Sequence, residues 1–309
     1  MDKELLTRKS AIITLCVICT FLWGSAFPVL KITYRELSIS GDDAISRMIL
    51  AGIRFFLAGI LLFILTKVQF KKIERPSKTV LKQLFVLGIF NTTIQYFFFY
   101  NGLANTTGIK SAILSSFGTF FVIIAAHFVY HNDKMNLSKV MGLILGFLGI
   151  FAVNWKGTSE GLAMDFSFYG EGFLIFSGLT SAFATLYAKK LAKDINPIIM
   201  NSWQFLFGSA ILLMLGLIAG GGYHLQFTFL AVVLLIYSAF LSATAFTIWF
   251  NLLKYNTASS VTIFKFLIPV FGSILSAILI PEEHFTFMIV VGLVCASLGI
   301  YMVNRKVAG

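Results

Sequence analysis

Two cations command attention because of where they lie. Lys265 is eight residues into the apolar run 257–280, and Arg54 is ten residues into the run 44–66. At the helical rise, those depths are roughly 12 Å and roughly 15 Å. A Lys or Arg at the centre of a spanning helix costs about 2.5–3.5 kcal/mol on insertion scales, so it normally faces a cavity or a partner. Both are therefore candidates for holding an anionic group of a solute. The plain alternative is that each ties off helix carbonyls or snorkels to an interface. The depth of Lys265 favours solute contact, whereas Arg54 suits a strut between helices equally well.

Polar and aromatic side chains supply the rest of a candidate lining. Asn91 and Gln95 are four apart and share a helix face, and two amides turned to lipid would be costly. Ser111, Ser115 and Thr119 form a stripe on the following run, as do Thr244, Thr247 and Asn251 on a later one. Such stripes also serve as plain interhelical hydrogen bonds. Trp203 and Gln204 join the candidates by repeat analogy, and Trp23, Ser25 and Trp249 by depth in their runs. A cation between amide and aromatic walls suits a solute with a carboxylate and an apolar body, such as an amino acid.

What the runs lack is equally informative. No Asp or Glu lies in the middle of any of them; Glu171 is about one turn from a run's start. Proton and sodium couplers normally place carboxylates inside the bundle, so facilitated transport or exchange is expected. His127, the one histidine within the runs, reads as an interfacial hydrogen-bonding residue rather than a relay. Paired carboxylates, a histidine cluster or a nucleophile with its base are missing from the runs, which argues against an enzyme. Cys16-x-x-Cys19 has redox spacing, but no second pair completes a site. No metal or cofactor is expected.

The elements that must carry these residues are membrane helices. The 309-residue chain is 58% hydrophobic and 12% charged, with a mean hydropathy of +0.89. A soluble domain has about twice that share of charge. The net charge of +11 does not indicate nucleic-acid binding, because the basic residues fill short gaps between apolar runs. Runs long enough to span a bilayer cover 11–32, 44–66, 83–104, 107–130, 136–155, 168–188, 198–219, 228–252, 257–280 and 285–304. The first is too long for a signal-peptide core and is read as a spanning helix. With the N-terminus in the cytoplasm, seventeen Lys and Arg fall inside, five outside, and Arg54 and Lys265 in mid-membrane. That bias places both termini in the cytoplasm.

An internal repeat organises the runs. Residues 141–156 and 291–306 are identical at eight of sixteen positions, including Gly142/Gly292, Gly149/Gly299 and Asn154/Asn304. Each unit, 1–156 and 157–309, holds five runs. Five is odd, so the second unit enters the membrane from the opposite side. The expected fold is an all-α integral membrane protein with ten transmembrane helices as two inverted five-helix repeats, an arrangement typical of secondary transporters. Glycines such as Gly142, Gly146, Gly149, Gly292 and Gly299 are expected to permit close helix packing.

The chain resembles the EamA-type family of the drug/metabolite transporter superfamily. The resemblance rests on Trp23-Gly24-Ser25-Ala26-Phe27-Pro28 with Lys31, on Arg54-Phe55-Phe56, on Asp133 closing the fourth run, and on Pro281-Glu282-Glu283 in the equivalent place. Pro269 matches the family's mid-helix proline, and Thr119 replaces it in the first unit. The resemblance implies a carrier in the plasma or inner membrane that exports amino acids or other small amphipathic metabolites. It also implies a central cavity walled by helices 1–4 and 6–9. The partners expected are the lipid bilayer and a small solute, with the protein a monomer or a homodimer. A membrane-embedded scaffold or a channel-like protein is the alternative, though short loops offer little docking surface.

Overall fold

The structure, a computed structural model, describes residues 3–40, 42–70, 76–105, 114, 117–153, 167–223, 225–281 and 287–304. Ser111, Ser115, Trp155 and Glu283 lie outside them. Among the described residues all regular secondary structure is helical. In chain order the helices are α1 (Lys3–Thr7), α2 (Lys9–Glu36), α3 (Ala44–Phe70), α4 (Lys78–Gly88), α5 (Gln95–Ala104), α6 (Phe117–Val129) and α7 (Leu137–Val153). They continue as α8 (Phe173–Leu191), α9 (Pro197–Ile218), α10 (Phe229–Tyr255), α11 (Ala258–Thr262), α12 (Leu267–Leu279) and α13 (Phe287–Asn304).

Among the described residues, five helical stretches are individually long and apolar enough to cross a membrane: Lys9–Glu36, Ala44–Val68, Pro197–Ile218, Phe229–Tyr255 and Ala258–Leu279. Shorter apolar helices cover Phe117–Val129, Leu137–Gly149 and Val290–Asn304. Two predicted runs contain π-helical turns. Ile89–Ile94 joins α4 to α5, and Phe168–Gly172 opens α8. Each of the ten predicted runs thus contains helix.

The helix α2 packs on α10 and α12, while α8, its counterpart in the repeat expected from sequence, packs on α5 and α6, the expected counterparts of those two. The remaining major pairs, α3 with α9 and α7 with α13, each join a helix to its own counterpart. Both of these pairs run antiparallel. In the first, Gly52 meets Leu213 and Gly59 meets Leu206. In the second, a Cβ on Gly142 would fall 2.8 Å from Gly299 O, and one on Gly149 would fall 2.8 Å from Gly292 O. Backbones that close leave no room for a side chain, as the glycine stripes predicted.

The chain's described ends lie at one end of the bundle. Asn256 Nδ2 donates to Leu6 O at 2.9 Å, and Asn304 Nδ2 donates to Ser260 O at 3.3 Å, just across the α10–α11 turn. A polar cluster fixes this end. Buried Asp133 accepts from Lys139 Nζ at 2.7 Å and from the Ser259 N–H at 2.9 Å, which ties the α6 exit to the starts of α7 and α11. Lys189 Nζ donates to Leu253 O at 2.7 Å and also to Asn256 O, close to the α10 C-terminus. His127 Nδ1 accepts the Met135 N–H at 2.9 Å, a turn-fixing role in keeping with the interfacial reading.

Candidate functional site

The bundle holds a partly open cavity of about 120 Å³ between α2, α3, the α4–α5 junction, α5, α6, α8, α10 and the α11–α12 junction. Sequence explains the last of these. Pro269 lacks an N–H and its ring crowds the carbonyl four residues earlier, which is that of Lys265. The helix responds with a 3-10 segment, Ile263–Phe266, between α11 and α12. A tightened turn inside a helix often marks a functional hinge, and here it carries Lys265.

Lys265 is half-buried and lines the cavity. Its ammonium lies 5.6 Å from the Trp23 ring centroid and 5.4 Å from that of Trp249, and those rings meet edge-to-face at 4.9 Å. Each cation–π contact is worth about 0.5–2 kcal/mol, more when water is excluded. Among the described residues, Lys265 makes no hydrogen bond or ion pair. Both indole N–H groups are buried and likewise without an acceptor.

Arg54 is 2% exposed and also borders the cavity. Its Nε donates to Ser238 O at 3.1 Å and Ser242 Oγ at 2.9 Å, and Nη1 donates to Tyr100 Oη at 3.2 Å. The guanidinium therefore braces α3 against α10 and α5, and every one of these partners is neutral. Arg54 is thus a strut between helices that also borders the cavity.

Asn91 and Gln95 both line the cavity. Asn91 sits in the π turn and Gln95 opens α5. Gln95 Oε1 is buried without a donor, and the Gln95 backbone carbonyl accepts from Ser177 Oγ at 3.0 Å. Thr119 lines the cavity with its hydroxyl unpartnered.

Other candidates lie elsewhere. Gln204 is wholly buried between helices: its Oε1 accepts from Thr92 Oγ1 at 2.8 Å and Asn91 Nδ2 at 3.4 Å, and its Nε2 donates to Asn201 at 3.2 Å. Trp203 packs on Phe63 and Phe207 at 5.1 and 5.5 Å. Ser25 Oγ donates to Leu22 O and pairs with Tyr237 Oη, each at 2.7 Å. These three and Thr244 are not among the cavity lining, and Ser115 lies outside the described residues. Sequence reasoning missed the α8 wall of Ser177, Ser181 and Thr185. Its four-residue spacing was the available signal, the same one that singled out Ser111, Ser115 and Thr119.

Residues 10–155 and again 168–305 match the model of the EamA-like transporter family. The chain belongs to that family. It is 26% identical over 285 residues to YoaV, an uncharacterized transporter of Bacillus subtilis, covering 92% of this chain and 93% of that one. It is 29% identical over 297 residues to an uncharacterized transporter of Archaeoglobus fulgidus, covering 95% and 98%. A solved crystal structure superposes with a TM-score of 0.76 at 12% identity over 96% of this chain and 97% of the other, a likeness of fold alone.

Proposed function

We propose that this EamA-family membrane protein exports a small solute bearing a carboxylate on an apolar body, by alternating access of two inverted five-helix halves. The observation that carries the solute reading is the Lys265 ammonium, framed by Trp23 and Trp249 and facing a cavity with no hydrogen-bond or ion-pair partner of its own. A cation in a low-dielectric cavity is stabilised most by an anion brought to it.

Rocking of the halves is supported by the helix partnerships. The pairs α3–α9 and α7–α13 run antiparallel although each joins repeat counterparts, and cavity walls come from both halves. Ten spans, an even number, agree with Leu6 and Asn304 lying at one end of the bundle. The distribution of Lys and Arg supports a cytoplasmic location for that end.

Counterflow in proteoliposomes tests the reading. Vesicles preloaded with a carried carboxylate should show saturable, trans-stimulated uptake of the labelled solute. Flux that rises linearly with concentration and ignores the internal solute would indicate a channel and contradict the proposal.

A further inference from the structure

We propose that the cavity selects an organic anion with an aromatic-sized apolar body and discriminates against the same body carrying an ammonium, so that an α-amino acid is a poor ligand. This rests on the carboxylate reading above and narrows it.

Arg54 and Lys265 both line the cavity, and no Asp or Glu does among the described residues. The hydrogen bonds of Arg54 end on a carbonyl and two hydroxyls, which leave its charge uncompensated. Lys265 meets two ring faces and has no anionic partner among the described residues. A zwitterion brought here would place its ammonium among two cations with no carboxylate to pair it. An anion without an ammonium meets only attraction.

Aromatic faces normally attract ammonium groups, and the tryptophan pair resembles such a cage. One face of each ring is already engaged by Lys265 itself, at 5.6 and 5.4 Å. The protein's own cation fills the cage and presents its charge to the cavity. The apolar body finds its place against Phe27, Tyr96, Phe99 and Phe246, which line the same space.

Three probes with related phenyl bodies separate the outcomes: 3-phenyllactate, phenylalanine and phenethylamine, titrated into the full-length protein in nanodiscs. Phenyllactate should bind at least about tenfold more tightly than phenylalanine, since like-charge juxtaposition is strongly unfavourable, and phenethylamine should not compete. Phenylalanine binding as tightly as phenyllactate overturns this inference while leaving the carboxylate anchor in place. Phenethylamine binding alone overturns both. If none of the three binds to folded protein, the aromatic-acid inference fails, and counterflow of another carboxylate would sustain the carrier reading by itself. The variant Ser181→Asp adds an acid to the α8 wall and should bring the phenyllactate-to-phenylalanine ratio down towards one. An unchanged ratio in that variant contradicts the charge argument.

Discussion

Replacing Lys265 by Met separates solute binding from protein stability. Met keeps an unbranched, polarisable side chain of similar reach between Trp23 and Trp249, so packing in the cage is conserved. Two terms then move in opposite directions. The solute loses a charged hydrogen bond worth about 1.5–3 kcal/mol, which is roughly a 10- to 150-fold loss of affinity. The protein loses cation–π contacts of about 0.5–2 kcal/mol each but is relieved of an intramembrane charge costing about 2.5–3.5 kcal/mol. The second balance is close to neutral. Lys265→Met should therefore bind a carboxylate solute at least about tenfold more weakly while its thermal unfolding midpoint stays level or rises. Titration calorimetry and a thermal scan on the same nanodisc sample provide both readouts. Undiminished affinity would refute the anchor. Lost affinity accompanied by collapse of the folded protein would mean that Lys265 is structural.

Four further outcomes follow from contacts elsewhere. Arg54→Lys keeps the charge but cannot span Ser238, Ser242 and Tyr100 with one ammonium, so it should destabilise by about 1–3 kcal/mol in a thermal melt. Gly88→Val forces a side chain into a contact where even a Cβ would lie 2.6 Å from Gln204 O. It should separate α4 from α9 and cost about 1–3 kcal/mol or abolish folding, seen as loss of monodisperse protein on size exclusion. Asp133→Asn breaks the 2.7 Å pair with Lys139 and should lower stability by about 3 kcal/mol in chemical unfolding, since it leaves a largely buried ammonium uncompensated. Trp203→Phe, which is away from the cavity, should leave solute affinity within about twofold by calorimetry.

The sequence made the bundle legible because lipid imposes one strong demand, satisfied backbone bonds within long apolar helices. The cations were legible for the same reason, since an Arg or Lys is conspicuous where its insertion is costly. Asn91 and Gln95 were found through α-helical spacing even though Asn91 occupies a π turn; both still line the cavity. Repeat analogy failed at Trp203 and Gln204. Their counterpart region in α3 carries Arg54, a symmetry break, and Gln204 is consumed by bonds to Thr92 and Asn91. Ser25 misled for a related reason: a hydroxyl deep in a helix satisfies itself locally, here on Leu22 O and Tyr237. The 3-10 turn at Lys265 could have been read from Pro269 four residues on, whereas π turns leave no comparable mark in composition.

Anion binding at Lys265 is tested most directly by a structure with a brominated aryl carboxylate bound, located by anomalous scattering. A bromine peak is expected among Phe27, Phe99 and Phe246, with a carboxylate oxygen at about 2.7–2.9 Å from Lys265 Nζ. A ligand seated outside this cavity, or one whose carboxylate points away from Lys265, would rule out Lys265 as the anchor.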